Sequence, residues 1–411
     1  MTEIIHAPAW EPLVTRRTGL VRAEGRTVRD DTGVFHPLAL TMMWAYHGWT
    51  RDRDRFKANI DFLRPYGYDG VRIAGQVTGA GWDANPLDPG YVPSMIELVD
   101  YLYDSAGLRT EMFGVGDPGV DPMDLARKMA DIVRGREQKI LSLEASNEGH
   151  ATLPEMIDMV RYLRANTAVP LIALTSPGDA DQLIAAFNDA GATEFTVHTE
   201  RGGGDWRMVR QGRDLAQFPG IVNSNEPPGP HSSIASIEAP RTLAMLRANC
   251  LIGKAAKFCL HVGDMVAGQV DPAHGRVANL WEIDNIDQIL KVVRGVDRWF
   301  PAGCENWQPT SQHGGTDRVG PHPLLSDAIW SDGDDHGVDR AYALVDGGRF
   351  VEVLNGVRQR ARLLPLSAMD VTAFDPLTGE GLHATLGAGD EWTLPGDSNA
   401  AEAYIVTGTY R

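Results

Sequence analysis

The chain has 411 residues, more than one average domain, and its 43% hydrophobic and 23% charged content is that of a protein burying a large core. A net charge of −17 excludes a surface built to grip phosphate backbones, so no nucleic-acid partner is expected. No apolar run is long enough to span a membrane and the start, MTEIIHAPAWEP, lacks a secretory pattern, so a cytoplasmic or otherwise signal-less soluble protein with no membrane partner is expected.

In chain order, residues 18–37 (TGLVRAEGRTVRDDTGVFHP) alternate and break at Glu24-Gly25 and Asp31-Thr32-Gly33, which predicts a β-hairpin placed to close the bottom of the main domain. Short β-prone runs then alternate with amphipathic segments, the pattern of a parallel sheet with crossover helices. The runs are LALTMMW (38–44), GVRIAG (70–75), RTEMFGV (109–115), KILSLEA (139–145), VPLIAL (169–174), EFTVHT (194–199), GIVNS (220–224) and AKFCLHV (256–262). Segments 53–67, 91–107, 153–167 and 179–191 carry the helical period. Eight strands, each followed by a helix-like segment, predict a (β/α)8 TIM barrel over 34–300. An open doubly wound sheet would want a glycine-rich phosphate loop after its first strand, and none is present. Beyond residue 335 the helical period disappears. Runs such as RFVEVLNGV, DVTAFDPLTGE and AYIVTGTY predict a C-terminal all-β sandwich over 336–411. A connection over 301–335 precedes it, and residues 1–33 form an N-terminal segment and hairpin.

Functional groups of such a barrel gather at the C-terminal strand ends. There the chain carries Trp44, Arg72, Glu144, Asn147, Glu148, His198, Glu200, Asn223, Asn225, Glu226, His261 and Asp264. An arginine inside a barrel strand needs an anionic partner, and Glu148 and Glu226 are candidates for Arg72. Glu144 is expected on the packed side of its strand or in the layer below the site. Two carboxylates at one pocket, one ionised and one protonated, are the apparatus of glycoside hydrolysis. Blander readings stand beside this one. Asn147-Glu148 also suits a helix cap, and Glu226 suits a loop before Pro-Pro, with Glu200 its competitor. Trp44, Trp82, Trp206 and Trp281 are candidate platforms for sugar rings. His198, Glu200, His261, Asp264 and His274 form no HxH or HExxH pairing, so neither metal nor cofactor is expected. Cys250, Cys259 and Cys304 form no disulfide or zinc pattern.

These residues carry a resemblance. LEASNEG (143–149) resembles the Glu-x-x-Asn-Glu signature ending strand four of retaining (β/α)8 glycoside hydrolases, the clan that includes family 5 cellulases and mannanases. EGRTVRDDTGVFHPLALTMMW (24–44) resembles the entry into strand one of that clan. GVRIAG is similar to its Val-Arg-Ile strand two, and VTAFDPLTGEG (371–381) to a turn in the C-terminal sandwich of some members. Three positions depart: Gly149 stands where family 5 keeps proline, His261 where strand eight often ends in tryptophan, and Asn-Ser-Asn-Glu-Pro where strand seven tends to read Gly-Glu-x-Gly.

The resemblance implies Glu148 as general acid and base, Glu226 as nucleophile, Asn147 on the hydroxyl beside the reacting carbon, and Arg72 keeping Glu226 ionised. It also implies His198 near the nucleophile. The expectation is a retaining glycosidase acting on an oligo- or polysaccharide or glycoside, its two carboxyl groups about 5–5.5 Å apart. The alternatives are a metal-dependent or lyase-type barrel enzyme, or a carbohydrate-binding barrel without activity. Sugar, linkage and oligomeric state are left open.

Overall fold

The computed structural model describes residues 3–7, 16–25, 27–78, 83–116, 119–147, 150–175, 180–198, 218–232, 237–252, 255–262, 279–300, 306–310, 324, 329–330, 339–345, 348–357, 360–396 and 402–411. The chain begins with a short strand, β1 (Glu3–His6), followed by an antiparallel three-stranded sheet of β2 (Arg22–Glu24), β3 (Thr27–Asp30) and β4 (Gly33–Phe35). Eight parallel strands then close a barrel: β5 (Leu38–Thr41), β6 (Gly70–Ala74), β7 (Arg109–Val115), β8 (Ile140–Ser146), β9 (Ile172–Thr175), β10 (Glu194–His198), β11 (Ile221–Pro228) and β12 (Ala255–His261). Pairing of β12 with β5, Cys259 opposite Ala39, shuts the ring. Each of the eight predicted runs supplies one of these strands.

The helices follow from local chemistry. Among the described residues they are α1 (Ala45–Arg51), α2 (Arg53–Leu63), α3 (Tyr91–Asp100), α4 (Pro122–Val133), α5 (Leu153–Asn166), α6 (Ala180–Ala190), α7 (Pro240–Ile252) and α8 (Ile286–Gly295). Asp121 caps α4 by accepting from the backbone N–H groups of Met123 and Asp124, with Pro122 at the first helical position. Thr152 and Glu155 form a reciprocal capping box on α5. Among the described residues, no helix is long and apolar enough to cross a membrane.

The small N-terminal sheet plugs the barrel at the N-terminal end of its strands. Val21, Val28 and Phe35 pack against Ala39, Leu141, Leu171, Ile221 and Ala256. Asp30 binds this plug to the barrel, accepting from Arg109 of β7 at 2.7 Å and from Arg17 at 2.9 Å. Burial opposes the charge on Asp30, but the bonds from Arg17, Thr32 and Arg109 hold its carboxyl below the ordinary carboxylate range.

C-terminal to the barrel, a seven-stranded antiparallel sheet runs in the order β1-β19-β18-β21-β16-β15-β13. Its members are β13 (Asn306–Thr310), β15 (Asp339–Val345), β16 (Arg349–Val357), β18 (Met369–Phe374), β19 (Glu380–Leu386) and β21 (Glu402–Tyr410), with β1 along the β19 edge. A second sheet orders β14 (Ile329–Trp330), β17 (Arg360–Leu363) and β20 (Trp392–Pro395). Phe350, Leu354, Val371 and Val406 of the large sheet share one core with Ala361, Leu363, Trp392 and Leu394 of the small one, which makes the pair a sandwich. The other face of the large sheet, through Val351, Val353, Phe374 and Ile405, joins the core of the barrel. Helix α7 lies between them and is buried at every position from Leu243 to Ile252. Asn249 of α7 and Asn355 of β16 exchange amide hydrogen bonds inside that seam.

Candidate active site

The barrel's interior is unusually polar. Bulky aliphatic residues are the common filling of such barrels. Here the side chains that meet across the middle are Arg72, Glu111, Ser142, Glu144, Thr175, Glu194, Asn223, Lys257 and Cys259, all fully buried. They contact one another from strands on opposite sides of the ring. Lys257 of β12, for instance, reaches Ser142 of β8.

Arg72 on β6 sits at the top of this interior. Its guanidinium lies over the Phe113 ring, 4.5 Å from the centroid, with Nε 3.3 Å from Glu144 and 3.8 Å from Glu111. Nη2 donates to Asn147 Oδ1 at 2.9 Å. Two carboxylates beside Arg72 are thus Glu144 and Glu111. Thr175 donates to Glu144 at 3.0 Å and helps hold it.

Asn147 follows β8 directly. Its backbone N–H donates to Val115 at 2.8 Å, and Ser146 Oγ accepts from the Ala151 backbone, so the chain is pinned at both sides of the turn. Because arginine has donors and no acceptor, Asn147 presents its oxygen to Arg72 and turns its Nδ2 donors away. The cap of α5 is Thr152, so Asn147 has no capping duty. Glu148 lies outside the described residues.

Glu226 stands on β11 near the end of that strand. Asn225 pairs with Cys259 and Pro228 with His261, and the register shifts between the two pairs, so the Glu226-Pro227 step forms a bulge at the barrel mouth. Such bulges re-aim side chains beside active sites. His198 ends β10 opposite Asn225, one strand over. His261 ends β12, is 2% exposed, and its carbonyl accepts from Gly229 at 2.7 Å. Strand order thus gathers the ends carrying Arg72, Asn147, His198, Glu226 and His261 on one rim.

The aromatic candidates disperse. Trp44 is buried at the start of α1, edge-on to Phe56 at 5.6 Å, its ring lying against the α1 backbone at Gly48. Trp281 is 45% exposed and packs on Phe62 of α2 at 6.0 Å, in the helical layer. Trp82, Trp206, Glu200, Asp264 and His274 lie outside the described residues, as does the glycine stretch 202–204. Among the described residues, no group of three or more His, Cys, Asp or Glu side chains could hold a metal ion. A crevice of about 630 Å³ opens elsewhere, between Asp297–Trp299 and the barrel-facing side of the large sheet at Thr372, His383 and Thr407.

Beneath the rim lies a cluster that sequence reading missed. Lys257 Nζ is 2.9 Å from Glu111 and 2.7 Å from Glu194. Glu111 also accepts from Asn223 at 2.7 Å and from Cys259 at 3.1 Å. Burial works against its charge, but Lys257 and Arg72 together hold the Glu111 carboxyl below the usual range. Glu194 goes the other way. Burial, with Glu111 and Glu144 near it, pushes it up to about 7 against the pull of Lys257. The available signal was period two: Glu194, Thr196 and His198 share one face of β10, and Lys257, Cys259 and His261 one face of β12.

No family model and no curated protein matches the chain by sequence. Solved structures match it in fold. One described as a glycoside hydrolase shares 14% identity over 98% of both chains, with a TM-score of 0.67. A glycoside hydrolase family 5 protein from Bacteroides vulgatus shares 12% over 98% of this chain and 95% of its own, at 0.63. The chain has the fold of these glycoside hydrolases. An alpha-amylase from Geobacillus thermoleovorans matches less well, at 10% identity over 90% of this chain and 98% of its own, with a TM-score of 0.54. At these identities the likeness is one of architecture, barrel and C-terminal sheets together.

Proposed function

We propose that the chain is a retaining glycoside hydrolase whose substrate is a glycoside or an oligo- or polysaccharide. The observation that carries this reading is the Arg72–Asn147 pair on the same barrel rim as the Glu226 bulge. The architecture shared with glycoside hydrolases along nearly the whole chain supports it.

In this reading Glu148, as a carboxylic acid, protonates the glycosidic oxygen while the Glu226 carboxylate attacks the anomeric carbon. The bond to the leaving alcohol breaks as an ester to Glu226 forms. Glu148, now a carboxylate, takes a proton from water, whose oxygen displaces Glu226 and restores both residues. The Nδ2 donors of Asn147 bind the neighbouring hydroxyl, a contact that strengthens as charge develops. Arg72 favours the ionised form of Glu226. His198, His261, Trp44, Trp206 and Trp281 complete the proposed substrate-binding set, and no cofactor is required.

A screen of aryl glycosides and polysaccharides tests the reading. Glu226→Gln should lower kcat by at least about a thousandfold on the substrate found. Glu148→Ala should slow poor leaving groups most and regain turnover with azide, yielding a glycosyl azide. Proton NMR of the first-formed product should show the substrate's anomeric configuration. Inverted product would overturn retention, and a Glu226→Gln protein with unchanged turnover would overturn the nucleophile.

A further inference from the structure

The proposed chemistry uses the rim and leaves the charged layer below it without a purpose. Glu111, Glu194 and Lys257 are fully buried on the third, sixth and eighth strands of the barrel. Replacing buried ion pairs by apolar residues of similar volume is often neutral or stabilising. Stability alone therefore does not account for ions here, and their geometry supplies another reason.

Two carboxylates meet the one ammonium of Lys257. Glu111 has further donors in Asn223 and Cys259 and faces Arg72, so it is the carboxylate that stays ionised. The guanidinium of Arg72 is in turn fixed by Glu144, by Glu111 and by the Phe113 ring beneath it. In the orientation these contacts hold, Nη2 donates to Asn147 Oδ1. Lys257, Glu111, Arg72 and Asn147 thus form one chain of contacts from the barrel's middle to its mouth.

We propose that Glu111, anchored by Lys257, is a positioning residue: it holds Arg72 from below so that the Asn147 amide keeps its donors turned toward the substrate. The inference rests on the glycosidase reading above. Glu111 touches no substrate in this role. It acts through Arg72.

The double variant Glu111→Gln/Lys257→Met removes one negative and one positive charge together; Arg72 keeps Glu144, and Glu194, without its ammonium partner, folds as the neutral acid. It should melt within a few degrees of the wild type, keep KM within about twofold, and lose about 10- to 100-fold in kcat. Lys257→Arg, which keeps the cation, should recover most of the kcat lost in Lys257→Met. Glu111→Asp keeps the charge but withdraws it by one methylene, and serves if the double variant does not fold. It should show the same selective loss of kcat. A folded double variant, or a folded Glu111→Asp, with wild-type kcat would overturn the proposal.

A readout independent of turnover separates this inference from the glycosidase reading. In protein carrying nitrogen-15 asparagine, the Asn147 side-chain amide pair, assigned by its loss in Asn147→Ala, should be sharp in the wild type. In the Glu111 and Lys257 variants it should shift and broaden. If the wild type hydrolyses no glycoside yet the pair responds this way, the reading of function falls and the positioning stands. An unchanged pair in folded variants sinks the positioning whatever the activity.

Discussion

Glu194 and Glu111 are both glutamates sealed inside the barrel and both touch Lys257, yet their protonation diverges. The difference is the company each keeps. Glu111 collects donors and two cations, whereas Glu194 faces Glu111 and Glu144 with Lys257 already shared. A carboxyl raised to about 7 from an unfolded value near 4.5 keeps its proton on folding through that interval. The folded state then binds more protons than the unfolded one, so stability falls as pH rises from about 5 to about 7 and levels off above. Asp30 and Glu111 act in the opposite sense, withdrawing stability as pH falls through the acid range. Glu194→Gln mimics the protonated form and should flatten the limb between pH 5 and pH 8. Urea midpoints at these two pH values check it, and parallel profiles for variant and wild type would sink the assignment.

Among the elements, α1 shows how a strand-end aromatic becomes structural. Trp44 caps this short helix, and its ring lies so close to Gly48 that a Cβ there would come within 2.2 Å of it. The ring system also meets Phe56 of α2 and the guanidinium of Arg55, 5.0 Å from its centroid. Gly48→Ala should therefore destabilise by about 1–3 kcal/mol, since neither the ring nor the backbone can give way freely. Thermal melting reads this directly, and an unchanged Tm would mean that the ring packs elsewhere. The barrel strands were legible because parallel strands covered on both faces read as unbroken apolar runs. Arg72 was legible as a charge interrupting one of these runs, and Asn147 through the LEASNEG pattern just past another. Glu111, Glu194 and Lys257 interrupt them too, but alternation along one strand says only that a side chain faces inward. Which interior residues meet depends on the stagger of all eight strands, a property of the closed ring. For the same reason β1 went unseen: four residues at one end of the chain pair with β19 near the other, Glu3 opposite His383.

At the scale of the whole molecule, barrel and sandwich share too much to behave as separate bodies. Helix α7 is buried along nearly its full length because the barrel covers one side and the large sheet the other. Its Arg247 donates to the Val293 carbonyl and pairs with Asp297, while Asn249 pairs with Asn355 in the seam. Arg241 at the helix start pairs with Asp375, in the turn after β18. Across this junction, Trp299 packs on Phe374 with ring centroids 5.8 Å apart. The N-terminus adds a second tie, because β1 precedes the barrel in sequence yet completes the sandwich sheet. Independent domains in one chain commonly unfold in separate steps. Here, melting the sandwich would uncover the apolar flank of α7 and strip β1 of its partner, and melting the barrel would uncover one face of the large sheet. Each half therefore loses its cover when the other unfolds, and calorimetry of the full chain should show one cooperative transition. A chain ending at residue 300 should be insoluble or lack a sharp transition, because α7 would face water. Two well-separated transitions in the full chain, or a soluble and sharply melting truncation, would show that the seam is an ordinary interdomain contact and that the sandwich is dispensable to the barrel.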